Sequence, residues 1–322
     1  MGPDVKAVVR DRYGWPDVLR LEDVPVPSPR AGQVRVKVAA TSVNLSDWES
    51  LRGWPAYARI GGLRSPALRT LGSDIAGVVD EVGEGVSRFR AGDEVYGDNL
   101  ALMGGFAEYA LAPESALALK PSQLTFAEAS TIPQAGAIAV RGTEKAMAGS
   151  RVLINGAGGG SGAFAIQLAK RLGAQVTGVD NAMKQDFMRS MGADEVVDYA
   201  KVDFTRTTRR YDLILDLVAS RSVFAYRRAL TSGGTYRCVG GSVRALLRVL
   251  TVGSVVGRVT GRSIGVLVVK QGPPHFEPVA DLCVAGDVRI HIDRTFALDE
   301  VSAALARVGE GRALGKVIVV PT

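Results

Sequence analysis

Cysteine and histidine are almost missing from this sequence. Cys238 and Cys283 are its only cysteines, and His275 and His291 its only histidines. Two cysteines can make neither a disulfide framework nor a four-cysteine zinc lobe. They fit a reducing compartment, so a cytoplasmic chain is expected. Neither histidine has a second His or Cys beside it, which makes each a surface or loop residue rather than a metal ligand. No apolar run approaches the length of about 18 residues that a membrane helix needs, and no charged-then-apolar leader opens the sequence; neither spanning nor secretion is expected. Charge of one sign is never concentrated. Thirty arginines and nine lysines face 33 acidic residues, for a net +6, without a long run of either sign. With aromatics at only 6% and no reading motif, that charge is a solvated surface, and nucleic acid is not an expected partner.

What is present is enough apolar material, 47% of 322 residues, for more than one core, and two compact units are the natural division. Arg151 to Asp180, RVLINGAGGGSGAFAIQLAKRLGAQVTGVD, organises the chain. Val152, Leu153 and Ile154 form the short apolar run of a parallel strand buried on both faces. Glycines follow at once. Ala163, Ile166, Leu168 and their neighbours then carry a helical stripe that Gly173 ends, and Gln175 to Val179 is again strand-like. A helix opening straight out of a strand offers unpaired N–H groups and a positive dipole end, which suits a dinucleotide pyrophosphate. The turn fits G-x-x-G-x-x-G through Gly156, Gly159 and Gly162, with Gly160 and Ser161 between; in the stricter G-x-G-x-x-G, Ala157 stands at the first glycine. Asp180 closes the second strand, where a carboxylate can bond the adenosine ribose.

From Lys6 to about Lys120 the pattern is strands broken by Pro and Gly, which suggests an antiparallel, barrel-like unit. A short helix is expected near Ser46, with Ser46 and Glu49 at the spacing of a capping box and Asp47 also part of the cap. Pro121 to Ser150 reads as helical. Strand and helix units then alternate to about Lys270, with strands at VLIN, QVTGVD, EVVDY, YDLILDLV, GTYRCVGG and IGVLVVK, which predicts a doubly wound parallel sheet. The last fifty or so residues give a helix, a strand pair around HIDRTF, a second helix and the strand KVIVV, a return to the first unit. The expected division is therefore 1–120 with 271–322, and 121–270.

VNLSDW at 43–48, LGSDIAGVVDEVGEGVSRFRAGDEVYGD at 71–98, GGFAEYALAP at 104–113, IPQAGAIA at 132–139, the GAGGGSG turn, MGADEVVDY at 191–199, VGG at 239–241 and GRALGKVIV at 311–319 together resemble the medium-chain dehydrogenase/reductase superfamily. Within it the chain is similar to the zinc-independent quinone oxidoreductase-like and enone-reductase branch. The resemblance spans nearly the whole chain. It implies a GroES-like, mostly β substrate domain, a Rossmann domain, a cleft between them and a homodimer. Where related alcohol dehydrogenases hold catalytic zinc, Asn44 stands for the cysteine, Ser73 for the histidine and Asp74 for the glutamate, so no metal is expected. Without a Lewis acid, NAD(P)H-dependent hydride delivery to an activated C=C or a quinone is the better fit, because charge then moves onto an oxygen that hydrogen bonds can stabilise. The resemblance places Asn44 as a donor to that oxygen, Tyr57 as a proton donor, and Val218 and Gly240 beside the cofactor.

Asp180 argues for NADH, since its charge repels a 2′-phosphate, whereas by resemblance Lys184 and Tyr199 fall where that phosphate is bound. The expectation leans to NADH. Ile138, Ala219 and Ser161 replace residues usual in the branch, which leaves open a non-redox catalyst (addition, cyclisation or isomerisation) or a cofactor-binding scaffold. A small-molecule substrate should be lined by residues 53–70 and 242–263. Ile264 to Lys270 reads as an edge strand that a second copy would pair.

Overall fold

The computed structural model describes residues 4–59 and 62–321, so part of the stretch 53–70 lies outside the described residues. The chain divides into two compact units, Met1–Ala137 with Lys270–Thr322, and Ile138–Val269. They divide at Ala137, beyond the change of pattern at Pro121.

In the first unit, β1 (Asp4–Val9) pairs antiparallel with β2 (Arg20–Pro25). β3 (Gln33–Val43) runs straight into α1 (Leu45–Arg52), which ends at Gly53 in the left-handed conformation. β4 (Asp74–Val82), β5 (Glu94–Asp98), β6 (Tyr109–Pro113) and β7 (Leu117–Leu119) follow. Val34, Val36 and Val38 alternate inward along β3 and pack with Ile75, Val79, Val95 and Leu117, the period-2 pattern of a half-buried sheet. α2 (Phe126–Ser130) is opened by a capping box: Thr125 Oγ1 accepts the Glu128 N–H at 3.2 Å, and Glu128 Oε2 accepts the Thr125 N–H at 2.9 Å. α3 (Pro133–Thr143) leads to the second unit.

That unit is built of β8 (Arg151–Asn155), α4 (Gly160–Arg171), β9 (Gln175–Asp180), α5 (Gln185–Ser190), β10 (Glu195–Asp198), β11 (Tyr211–Asp216), α6 (Val223–Ala229), β12 (Leu230–Cys238), α7 (Val243–Arg248), a π-helical turn at Val249–Gly253, α8 (Ser254–Val259) and β13 (Ser263–Val266). The strand order is β10-β9-β8-β11-β12-β13, all parallel, which is the doubly wound dinucleotide-binding topology. Val152, Leu153 and Ile154 in the central strand are wholly buried, worth about 1.5–3 kcal/mol each. The edge strand β13 is shorter than the apolar run around it: it stops at Val266, and Val268 is exposed.

The chain returns to the first unit through α9 (Glu277–Val284), β14 (Ile292–Ala297), α10 (Val301–Gly309) and β15 (Lys316–Val320). Where the sequence suggested a strand pair around HIDRTF there is a single strand, β14, parallel to β15. β15 pairs antiparallel with β3, closing the order β14-β15-β3-β4-β5-β7 with β6 also on β3. Among the described residues no helix is long and apolar enough to cross a membrane.

Candidate functional site

In the second unit the candidate cofactor residues gather at the C-terminal ends of the parallel strands, where ligands of such sheets bind. Gly156 leaves β8 with φ +87°, and its N–H and that of Ala157 donate to Val179 O at 2.9 and 3.1 Å. Gly159 is the N-cap of α4 and has no side chain to cap it, so the first N–H groups of the helix, on Gly160, Ser161 and Gly162, have no side-chain partner from the cap. A Cβ on Gly162 would stand 2.4 Å from Gly156 O. The glycine is required by packing of turn against helix. Val218 is exposed beside this turn: its Cγ2 lies 3.0 Å from where a Gly156 Cβ would be. Gly240, at φ +73°, follows β12 with open space where a side chain would stand. These residues fit a bound dinucleotide: an uncapped helix start, a floor without side chains and an open rim.

Asp180 and Lys184, which the sequence sets against each other, are partners. Asp180 Oδ2 accepts the Gly158 N–H at 3.0 Å, Oδ1 accepts the Asn181 N–H at 2.9 Å, and Lys184 Nζ lies 3.5 Å from Oδ1. Both side chains are buried. The Asp180 charge is therefore largely neutralised in place, which removes the argument that it stands alone against a 2′-phosphate. Tyr199 donates its N–H to Asp180 O at 3.1 Å and leaves its ring exposed next to the pair.

In the first unit a buried polar cluster forms where three strands meet. The pairing of Ser42 with Asp74 joins β3 to β4, and that of Val317 with Val43 sets Lys316 opposite Asn44. Asn44, Ser73 and Asp74 come together as the resemblance implies. Lys316, absent from the sequence reading, stands among them. Its Nζ lies 2.6 Å from Asn44 Oδ1 and 3.5 Å from Asp74 Oδ2, and it is 3% exposed. An ammonium only donates, so the Asn44 oxygen must be the atom facing it. Both amide hydrogens then go inward, Nδ2 donating to Asp74 Oδ2 at 2.8 Å and to Ser73 Oγ at 3.1 Å. In this structure both amide hydrogens of Asn44 are thus taken up by partners within the cluster. The sequence signal for Lys316 was a lone charge opening the buried strand KVIVV.

The helix start is corrected. Asn44, not Ser46, is the N-cap of α1, and Asp47 Oδ2 accepts the Asn44 N–H at 2.8 Å, while Oδ1 accepts that of Gly72 at 3.2 Å. Ser46 donates instead to Gln134 Oε1 at 2.9 Å. Burial pushes Asp47 up to about 7 against the two backbone donors, and raises Asp98 to about 7 with Asp74 adding to the effect. Asp74 is raised by burial and held back by Lys316, whose own value burial lowers. Such a set, an amide, a hydroxyl and a carboxylate around an ammonium, does not fit a zinc ion. His275 and His291 belong to no cluster: among the described residues no group of three or more His, Cys, Asp or Glu is placed to hold a metal.

Tyr57, in the single turn Ala56–Arg59, places its hydroxyl 3.0 Å from each carboxyl oxygen of Glu49. Burial raises Glu49 to about 7 while the hydroxyl opposes it.

The chain matches two family descriptions, an alcohol dehydrogenase GroES-like domain over residues 30–122 and a zinc-binding dehydrogenase over residues 191–319. The second does not include Asn44, Ser73 or Asp74. A 2-methylene-furan-3-one reductase of Solanum lycopersicum is 33% identical over 99% of this chain and 79% of its own length. An NADPH-dependent alkenal/one oxidoreductase, chloroplastic, of Arabidopsis thaliana is 32% identical over 99% and 80%. The solved structure of the quinone oxidoreductase from Coxiella burnetii has a TM-score of 0.88 and 28% identity, over 99% of this chain and 100% of that one. With the parallel sheet and the GroES-like unit in place, the chain belongs to the medium-chain dehydrogenase/reductase superfamily, in its quinone oxidoreductase-like branch.

Proposed function

We propose that this chain is a zinc-independent, NAD(P)H-dependent reductase of activated double bonds, acting on an α,β-unsaturated carbonyl compound or a quinone. The observation that carries this reading is Lys316: an ammonium occupies the centre of Asn44, Ser73 and Asp74, the positions that resemble a catalytic zinc site. A fixed cation there orders the cluster but offers no empty orbital to an alcohol oxygen, so the substrate must bring its own activation. The names of the relatives, a furanone reductase, an alkenal/one oxidoreductase and a quinone oxidoreductase, support the same chemistry.

When bound, the reduced nicotinamide supplies the hydride. The uncapped start of α4 at Gly159–Gly162 would hold the pyrophosphate of the cofactor, with Val218 and Gly240 beside it, and Asp180 with Lys184 and Tyr199 would meet the adenosine ribose. Since Asp180 is neutralised by Lys184, both NADH and NADPH are accommodated. Tyr57 is the proton donor to the reduced substrate, and Asn44 keeps the loop before α1 in register. β13 has β12 on one side only among the described residues, which supports a homodimer.

The test is the loss of reduced-nicotinamide absorbance over a panel of enones and quinones, with and without a chelator. Turnover that survives the chelator is expected. Tight cofactor binding with no turnover of any acceptor would overturn the reading.

A further inference from the structure

Glu49 is free of the task its spacing to Ser46 suggests, because Asp47 closes the start of α1. It faces the Ala56–Arg59 turn, where the Tyr57 hydroxyl is equidistant from its two oxygens. Among the described residues, the charged groups on α1, on the turn and on α10 have other partners. On α1, Asp47 is held by the Asn44 and Gly72 amides, and the Arg52 guanidinium lies 3.2 Å from the centre of the Trp15 ring. Arg10 donates to the Ser50 carbonyl. Arg59, on the turn itself, donates from Nε to Gly53 O at 2.9 Å. On α10 the one charged residue, Arg307, is held by Asp293 at 3.0 Å. Among the described residues Glu49 thus sits half-buried, with the Tyr57 phenol as a hydrogen-bond partner and no cation paired with it.

We infer that Glu49 is the proton reservoir behind Tyr57, a positioning residue through which Tyr57 delivers a proton to the reduced substrate. This rests on the reductase reading above. Once hydride has formed the new C–H bond, the electron pair of the double bond resides on the enolate oxygen. The Tyr57 O–H breaks as its proton passes to that oxygen, and the Glu49 O–H breaks as its proton passes to the phenolate. Glu49 is left as a carboxylate and is reprotonated from water. One hydride and one proton have been added, and the substrate is reduced as the cofactor is oxidised. The same contact serves both states, since the phenol can accept from the acid or donate to the carboxylate. Burial keeps the acid form populated near neutral pH, as a general acid requires.

The experiment combines two readouts. Carbon NMR of the cofactor-free protein with labelled glutamate, Glu49 being identified by its loss in Glu49→Gln, should show one carboxyl titrating near pH 7. In turnover of an enone, the wild-type kcat should fall as pH rises through that value. Glu49→Gln should lower kcat about tenfold, flatten that fall and leave KM unchanged, with a melting temperature at or above that of wild type; Tyr57→Phe should lower kcat about 100-fold. A Glu49 that titrates below about pH 5, or a Glu49→Gln enzyme that turns over with the wild-type profile, overturns the inference and leaves the reductase reading intact. Absence of turnover with every acceptor overturns both.

Discussion

Lys316 and Asn44 are 272 positions apart, and their side chains meet at 2.6 Å inside the first unit. The contact follows from the register of β15 on β3. It fixes which end of the Asn44 amide faces which partner, and through it the geometry of Ser73 and Asp74.

Replacing Lys316 with Met should destabilise the protein by about 3–5 kcal/mol, because it strips from Asp74 the cation paired with it among the described residues while keeping that carboxylate buried. Chemical denaturation would read this as a lower midpoint at unchanged slope. A double variant, Lys316→Met with Asp74→Asn, should recover much of the loss, since no uncompensated charge then remains. Equal stability of the single variant and wild type would mean that Asp74 is neutral without its partner.

Stability should fall as pH rises toward neutrality. Asp47, Asp98 and Glu49 are each raised to about 7, chiefly by burial, while their unfolded values lie near 4. Between those limits the folded chain holds protons that the unfolded chain has released. The stabilisation is full below about pH 4 and is lost as pH rises through about 7. Asp11 and Glu22 are shifted the opposite way by Arg20 and Arg69, but on the surface, where solvent screens them. A melting temperature several degrees higher at pH 5 than at pH 8 is expected. The reverse order would show these carboxyls to be ionised in the folded state.

The parallel sheet was legible because its strands are buried on both faces and so are written as apolar runs, Val152 to Ile154 first among them. The glycine turn was legible for a similar reason: close backbone approach at Gly162 leaves room for no other residue. The start of α1 was not. N-x-x-D and S-x-x-E overlap in NLSDWE, and what selects Asn44 is that β3 runs on to Val43, a tertiary fact. Lys316 and the pairing of Asp180 with Lys184 were hidden for different reasons. The first depends on strand register between distant segments. The second needs the side chain four positions on to fold back over Gly158, whose Cβ position lies 2.5 Å from Lys184 Cδ.

Cofactor preference should respond to both members of that pair in opposite senses. Asp180→Ser frees Lys184 for a 2′-phosphate and should move the ratio of dissociation constants toward NADPH by about tenfold, or about 1.4 kcal/mol. Lys184→Ala leaves Asp180 unneutralised and should move it toward NADH by a similar factor. Titration calorimetry of both variants with both cofactors gives the ratios. Shifts in the same direction would mean that the pair acts only by holding the Gly158 turn.

Association should depend on one face of β13. Leu267 donates its N–H to Cys238 O at 2.8 Å, so the N–H of Val266, one residue earlier, is directed to the open edge of the sheet. Val266→Pro therefore removes an outward donor and leaves the bond of Leu267 to β12 in place. If a second copy pairs with this edge across a two-fold axis, each dimer loses the donor twice. Light scattering at micromolar concentration should give about twice the chain mass of 33.9 kDa for the unmodified protein and a shift to monomer for the variant. A dimer that tolerates Val266→Pro at full strength would place the interface elsewhere. A monodisperse wild-type monomer would mean that the β13 edge is covered within the chain itself.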